Sequence, residues 1–285
     1  MIYYVQRKII RNNKVKAMKN KFRLLLIILT FLVVILGAIL DIDGIDNSND
    51  EEETPVINND PVKESAIFFG DSITHGKCMD FTKEEDHYSW ANYIKDTYDI
   101  EVYNMGVNGR RLGKINKLYL DIENTDDTLK EKEFTYVILH GGINDVGGDV
   151  PIGTYDLYDF SGNYDTDTFL GGLEMYLYDA IKTWPKSKIG YIINYKTPKD
   201  SKRPNEKTKK YFDLLKEVLE KWQISYIDLY EGVSNDGKRY SEDLLKVDTT
   251  IYLFDRLHLR KEGYEIISPY IYEWMKTLDL SKLKI

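Results

Sequence analysis

The chain has 285 residues, of which 42% are hydrophobic and 30% charged, a composition typical of a globular protein with one sizeable core. Its single cysteine excludes an internal disulfide bond and any metal site built from several cysteines. Residues 1–40 hold eight of the 39 basic residues and none of the 47 acidic ones, so residues 41–285 carry 31 basic against 47 acidic residues, a net charge of −16. This acidic body argues against nucleic-acid binding, and anionic lipid surfaces should repel it.

Residues 22–40 predict one transmembrane helix. The run FRLLLIILTFLVVILGAIL is apolar apart from Arg23 and Thr30, and about 20 such residues span a bilayer. A basic segment, residues 1–21, precedes the run and acidic residues follow it, so the positive-inside rule places the N-terminus in the cytoplasm and the body outside the cell. We interpret the helix as an uncleaved signal-anchor. A cleaved signal peptide that releases a secreted protein is the alternative, and Met18 is an alternative start that leaves the topology unchanged.

Residues 41–62 are acidic and contain few large apolar side chains, so they predict a disordered linker. A folded domain is then expected over residues 63–285. Within it, short apolar runs rich in β-forming residues alternate with amphipathic helical stretches, which indicates a parallel sheet covered by helices on both faces. The predicted strands are 66–70, 100–105, 135–140, 188–195 and 225–230, and the clearest helices are 168–184, 205–222 and 262–278. The predicted fold class is therefore α/β, a three-layer α/β/α sandwich around a parallel sheet of about five strands.

The residues that follow these strands have the types an acyl-transfer site needs. Sites in such sheets form at the carboxyl ends of the strands, and Ser72 follows the first strand directly. A serine nucleophile requires a base, and the base requires an orienting partner. We predict His258 as the base and Asp255, three residues earlier, as its partner. The developing oxyanion requires donors. The candidates are the backbone N–H groups of Ser72 and Gly106 and the side-chain amide of Asn144.

Four motifs resemble those of the SGNH (GDSL-type) hydrolase family. They are GDSIT at 70–74, NMGVNG at 104–109, GGIND at 141–145 and DRLH at 255–258, in the family's order and spacing. Each motif alone would be weak, because GDS after a strand also suits a helix cap and GGIND also suits a loop. The resemblance implies a flavodoxin-like fold and ester hydrolysis by a Ser-His-Asp triad, with oxyanion donors from serine, glycine and asparagine. It assigns Asp71, Gly142 and Asp145 to the scaffold.

No cofactor is predicted, and nothing in the sequence shows metal-ligand spacing such as H-E-x-x-H. The expected partners are an acylated small molecule or glycan as substrate and a membrane through residues 22–40. Neither nucleic acid nor an obligate protein partner is expected.

Two features of the sequence bear on which ester is hydrolysed, the loop 151–164 and the expected position of the domain. The loop 151–164 carries Tyr155, Tyr158, Phe160 and Tyr164. Aromatic rings at a site rim suit sugar faces, and packing of the loop against the domain is the equally weighted alternative. With the expected extracellular position, this favours a carbohydrate esterase that removes acetyl groups from a cell-surface glycan. The alternatives are a lysophospholipase or thioesterase acting on longer acyl chains, an O-acyltransferase that acylates glycan, and an inactive glycan-binding domain.

Overall fold

The computed structural model describes residues 63–76, 87–198, 203–234 and 252–280. The predicted basic segment, transmembrane helix and linker, residues 1–62, lie outside the described residues, as does Cys78. Among the helices of the described ranges, none has the length and apolarity that crossing a membrane requires.

The described residues form one six-stranded sheet in the order β2-β1-β3-β4-β5-β6. The strands are β1 Ser65–Gly70, β2 Glu101–Gly106, β3 Tyr136–His140, β4 Lys188–Ile193, β5 Ser225–Asp228 and β6 Val233–Ser234. The first five are parallel, whereas β6 is antiparallel to β5. Every residue of β1 and β3 is buried, which explains why these strands are continuously apolar rather than alternating.

Helices precede or follow each parallel strand. They are α1 Ser72–His75, α2 Trp90–Thr97, α3 Tyr119–Glu123, α4 Asp127–Glu131, α5 Ile143–Gly147, α6 Phe169–Thr183, α7 Asn205–Lys221 and α8 Lys261–Lys276. Helix α2 packs against α8, whereas α6 packs against α3 and α7. The five predicted strands and three predicted helices are therefore confirmed, with ends that differ by one or two residues.

Close packing of α8 on the sheet requires a glycine in β4. A Cβ atom at Gly190 would lie 2.6 Å from the ring of Trp274, which is 1% exposed. Any side chain at this position would displace the indole, and refilling such a core site imperfectly costs several kcal/mol, roughly 3–5 for loss of a buried aromatic ring. The contact fixes α8, and with it the loop that precedes α8, against the middle of the sheet.

Candidate active site

Ser72 lies where β1 turns into α1. It is the first residue of that helix, so its backbone N–H has no carbonyl partner within the helix. Asp71 caps the helix by accepting a hydrogen bond from the backbone N–H of Ile73 at 2.9 Å. The helix ends after one turn at Gly76, which has a φ of 92°, a conformation that glycine adopts without a steric penalty. The turn holds Ser72 at the carboxyl edge of the sheet.

His258 and Asp255 lie in the loop before α8 and reach this serine. The Ser72 Oγ atom is 2.7 Å from His258 Nε2, and His258 Nδ1 is 2.7 Å from Asp255 Oδ2. The three side chains thus form one continuous chain of hydrogen bonds. With the Nδ1 proton directed at the carboxylate, Nε2 is free to accept the serine proton, the arrangement a serine nucleophile requires.

The loop that carries the histidine is fixed by its own backbone. Leu253 and Leu259 form an antiparallel bridge, and Arg256 between them adopts a φ of 67°. The Tyr195 hydroxyl, which follows β4, donates to the carbonyl of Leu257 at 2.7 Å. These contacts set the position of His258 before substrate arrives, so the base does not have to be ordered during the reaction.

The loop also determines the charge of Asp255. Burial raises the pKa of this carboxyl group, but hydrogen bonds from the ring and backbone N–H groups of His258, together with attraction to the ring, outweigh burial and lower the pKa to about 2. The backbone N–H groups of His258 and Leu257 donate to Asp255 Oδ1 at 2.8 and 3.1 Å. Asp255 is therefore an acceptor across the pH range in which the domain would operate.

Gly106 lies beside the nucleophile turn, as the oxyanion prediction requires. It ends β2 and pairs with Gly70 of β1. A Cβ atom at Gly106 would lie 2.2 Å from the backbone nitrogen of His75, so no side chain fits there. The Gly106 N–H donates to Asn104 Oδ1 at 3.0 Å. An oxyanion would have to share or replace this acceptor.

Asn144 lies in α5, directly after the carboxyl end of β3. Its amide nitrogen donates to the carbonyl of Arg110 at 3.0 Å and is 3.4 Å from Asp71 Oδ2. Because Asp71 precedes Ser72 in the chain, the side-chain amide is held against the nucleophile turn. The three predicted oxyanion donors therefore converge on one turn, although two of them already have acceptors within the chain.

A buried histidine supports the same turn from below. His140 ends β3 and is 1% exposed. Its Nδ1 atom is 3.1 Å from Thr74 Oγ1 in α1 and 3.6 Å from Asp71 Oδ1. Burial lowers the pKa of His140 more strongly than the Asp71 charge raises it, so the imidazole is neutral and acts here as a hydrogen-bonding part of the scaffold.

The aromatic loop 151–164 is placed differently from the prediction. The Phe160 and Tyr164 rings lie 5.1 and 6.2 Å from the Trp222 ring, beyond the end of α7. The C-terminal end of α7 leads into the N-terminal end of β5, whereas Ser72 lies at the C-terminal ends of the strands. The Tyr155 hydroxyl donates to Glu217 of α7 at 2.7 Å, and Tyr158 is 89% exposed.

The contacts of Tyr155, Phe160 and Tyr164 are thus with α7 and Trp222 and not with the triad, which corrects the assignment of these three to the substrate rim. The assignment of the exposed Tyr158 stays a prediction. The physical reason is a cation beneath the loop. Lys221 lies 4.7 Å from the Phe160 ring and forms a buried ion pair with Glu174 of α6. The Phe160 and Tyr164 rings lie over this lysine, so packing of the loop, the alternative interpretation, accounts for these two.

Two supporting residues escaped the sequence reasoning. Tyr195 holds the histidine loop, and Asn104 joins β2 to α1 through a 2.9 Å hydrogen bond to the carbonyl of Thr74. Asn104 lies within the second motif, 104–109, and that motif could have indicated its role. Only its position after a strand pointed to Tyr195. In the part of the chain that the structure describes, no group of three His, Cys, Asp or Glu side chains could hold a metal ion.

Comparison with solved structures supports the fold. A protein from Lactobacillus plantarum is 20% identical, with a TM-score of 0.58 over 75% of this chain and 97% of that chain. A lipolytic protein of the G-D-S-L family from Veillonella parvula is 18% identical, with a TM-score of 0.52 over 75% and 100%. A variant of an acetyl-xylooligosaccharide esterase from Geobacillus is 17% identical, with a TM-score of 0.51 over 74% and 94%.

No curated protein sequence matches the chain. The model of the GDSL-like lipase/acylhydrolase family matches residues 68–266, which is more than half of the 285 residues. The match spans all four motifs, from the strand before Ser72 to the helix after His258. The chain therefore belongs to the GDSL-like lipase/acylhydrolase family and is a hydrolase of ester bonds.

Proposed function

We propose that the protein is a serine esterase that removes acetyl groups from a carbohydrate at the outer face of the cell membrane. The observation that carries the serine mechanism is the hydrogen-bond chain from Ser72 through His258 to Asp255, with distances of 2.7 Å at both steps. This chain links a weak nucleophile to a base, and the base to a carboxylate whose pKa is lowered to about 2.

In the acylation step, His258 Nε2 takes the proton of Ser72 Oγ as the oxygen attacks the ester carbonyl carbon. Asp255 stabilises the imidazolium that forms, and the N–H donors of Ser72, Gly106 and Asn144 receive the negative charge on the carbonyl oxygen. The imidazolium then protonates the departing sugar oxygen, which leaves an acetyl group on Ser72. A water molecule, deprotonated by His258, then attacks the acetyl carbon of this acyl-enzyme. The imidazolium returns the proton to Ser72 Oγ as the bond to the acetyl group breaks, which releases the acetyl group as acetic acid and restores the free enzyme.

Two observations and one expectation from the sequence favour a carbohydrate ester over a phospholipid. The body of the chain carries a net charge of −16, so an anionic lipid surface repels it. A structural neighbour, 17% identical, is an acetyl-xylooligosaccharide esterase, and this likeness of fold supports an acetylated carbohydrate as the substrate. An extracellular position, expected from residues 1–40, faces cell-surface glycans.

Replacement of the nucleophile tests the mechanism. Ser72→Ala should lower kcat for p-nitrophenyl acetate by at least about a thousand-fold, because it removes the oxygen that lies 2.7 Å from His258 Nε2. Ser161→Ala, at an exposed loop position, is the matched control and should retain wild-type activity. Near-normal hydrolysis by the Ser72→Ala variant, with the fold intact by circular dichroism, would remove the basis of the proposal.

Acyl preference is tested with p-nitrophenyl esters of increasing chain length. The proposal expects kcat/KM to be highest for acetate and to fall as the chain lengthens. A maximum at a medium or long chain would favour the lysophospholipase or thioesterase alternative instead.

Location is tested by fractionation. An uncleaved anchor over residues 22–40 keeps the full-length chain with the membrane, and protease added to intact cells should digest residues 63–285. A shortened chain found wholly in the soluble fraction would contradict anchoring.

A further inference from the structure

Two arginine side chains lie against a pair of glycines just beyond the oxyanion asparagine. At Gly147, a Cβ atom would lie 2.9–3.0 Å from three atoms of the Arg203 guanidinium group. At Gly148, it would lie 2.7–2.9 Å from three atoms of the Arg111 guanidinium group. Each guanidinium plane thus covers a bare stretch of backbone that any larger residue would occupy. The glycine pair makes room for two cations at the end of α5.

Neither arginine has a carboxylate partner among the described residues, although the body of the chain is strongly acidic. The neighbouring cations do have one: Arg110 pairs with Asp121 at 2.6 Å, and Lys207 pairs with Asp149 at 2.6 Å. Two like charges beside successive residues repel each other. Arg111 is attracted to the buried carboxyl group of Asp145, although burial raises the pKa of that group to about 7. Neither arginine forms an ion pair with a described residue, so an anion bound between them would reduce their repulsion.

Attraction of cations to the carboxyl end of a helix does not account for both arginines. Lys207 already donates to the carbonyl of Val146 in the last turn of α5. Arg203 Nε donates to the carbonyl of Ile143 at 3.3 Å, and its remaining N–H groups and those of Arg111 have no acceptor in the described part of the chain. A guanidinium group with open donors matches the two oxygens of a carboxylate or phosphate.

The Arg111 backbone is held in place by two independent sets of contacts. Its N–H donates to the carbonyl of Asn116 at 3.0 Å, and its carbonyl accepts from Leu118 at 2.8 Å. The next two residues, Leu112 and Gly113, donate their N–H groups to the buried carboxyl group of Asp145 at 3.0 and 2.9 Å. The side chain therefore starts from a fixed point, which reduces the entropy lost on binding an anion.

Both arginines are connected to the residues around Asn144, one through the chain and the other through a hydrogen bond. Arg111 follows Arg110, whose carbonyl accepts from the Asn144 amide at 3.0 Å. Arg203 bonds to the carbonyl of Ile143, the residue before Asn144. The two arginines therefore adjoin the segment that holds Asn144 against the nucleophile turn, and a sugar beside the acetylated one is the part of the glycan that we expect to meet them.

We propose that Arg111 and Arg203 form an anion-binding subsite, and that the glycan deacetylated at Ser72 carries an oxyanion of its own, a uronate carboxylate or a phosphate, on the acetylated sugar or the next one. The proposal rests on the proposed function and specifies its substrate. Residues 41–285 carry a net charge of −16, which would disfavour the binding of any polyanion without a local cationic subsite. A preference for an anionic glycan would therefore have to come from these arginines.

Three acetylated polymers with one backbone test the subsite: dextran, carboxymethyl-dextran and dextran phosphate. We would measure acetate release by the full-length wild-type chain at constant ionic strength and express each rate as kcat/KM relative to neutral dextran. We expect an anionic polymer to be preferred by about ten-fold, the gain of one charge-assisted guanidinium interaction. The two anionic polymers distinguish a carboxylate source from a phosphate source.

Arg203→Gln and Arg111→Gln should each lower this anionic-over-neutral ratio to near unity, whereas Arg203→Lys, which keeps the charge but loses the fork, should lower it in part. Lys186→Gln is the matched control, because Lys186 pairs with Glu133 just before β4, at the opposite edge of the sheet. It should leave the ratio unchanged. Because a ratio is measured, a variant that folds less well does not imitate the result.

The subsite is refuted if the wild-type chain shows no preference for either anionic polymer, or if the glutamine variants keep the wild-type ratio. In both cases acetate release from neutral dextran leaves the esterase proposal standing. Failure to release acetate from any polymer or from p-nitrophenyl acetate would overturn the proposed function, and the subsite with it.

Discussion

Asp255→Asn separates the electrostatic role of this carboxylate from its size. The substitution keeps the shape of the side chain but replaces an ionised acceptor that lies 2.7 Å from His258 Nδ1. The new amide favours the wrong tautomer of the ring, with the proton on Nε2, where it meets the serine hydroxyl. It also removes the charge that stabilises the imidazolium during acylation.

The structure gives a scale for the loss. The pKa of Asp255 is lowered from 3.8 to about 2, and about two units correspond to roughly 2.5 kcal/mol of preference for the charged form. The Asp255 side chain is 37% exposed, so solvent screening reduces this to about 1 kcal/mol for the resting enzyme. Adding the unfavourable tautomer and the loss of transition-state attraction, we expect kcat to fall by about a thousand- to ten-thousand-fold.

The assay is steady-state hydrolysis of p-nitrophenyl acetate, with kcat and KM determined separately. Asp96→Asn, at an exposed position of α2, is the matched control and should match the wild-type chain. Because the lowered pKa stabilises the fold above about pH 4 and this stabilisation is lost as pH falls through about 2, Asp255→Asn should also cost some stability at neutral pH but none in strong acid. A variant that kept more than about a tenth of kcat would refute the charge-stabilised mechanism.

Three further substitutions test other parts of the domain. Tyr195→Phe removes the 2.7 Å hydrogen bond to the Leu257 carbonyl and should lower kcat about ten-fold with little change in KM, a result contradicted by an equal rise in KM. Asn144→Ala should lower kcat by about a hundred-fold or more, and wild-type kcat would remove it from the oxyanion site. Burial raises the pKa of Asp179 to about 7, and Glu123 adds to the rise, so its stabilisation is present below about pH 4 and lost as pH rises through about 7. Asp179→Asn should therefore raise the free energy of unfolding, measured by urea denaturation, by roughly 2 kcal/mol at about pH 8.5 and leave it unchanged at about pH 4; equal values for the variant and the wild-type chain at the higher pH would contradict this.

The sheet could be predicted because its strands are buried on both faces. The β1 and β3 strands consist of unbroken apolar runs bounded by glycine or polar residues, a pattern that local sequence contains in full. The β6 strand, Val233–Ser234, could not be predicted in this way. It has two residues and pairs with β5 only because the intervening turn at Gly232, with a φ of 69°, folds it back.

The catalytic positions could be predicted because the topology of a parallel sheet gathers the residues that follow its strands. The contacts that hold the site could not, since they depend on geometry between distant segments. The carboxyl group of Asp145 accepts hydrogen bonds from the backbone N–H groups of Leu112 and Gly113. No periodicity in the sequence predicts these contacts. The aromatic loop shows the same limit from the other side. From the sequence, its tyrosines and phenylalanine suit a sugar-binding surface and packing of the loop equally well. Only the structure shows that Phe160 and Tyr164 pack over the buried Lys221.

The hydrogen bond between the Ser72 and His258 side chains joins residues that are 186 positions apart in the chain. The nucleophile enters the fold with β1, the first strand, whereas its base arrives only with the loop before α8, the last helix. A chain that is still being synthesised therefore has a serine but no base, and it lacks esterase activity until its C-terminal segment has docked. Esterase activity consequently reports completed folding of the whole domain, and premature hydrolysis during biogenesis is prevented by the order of the chain itself.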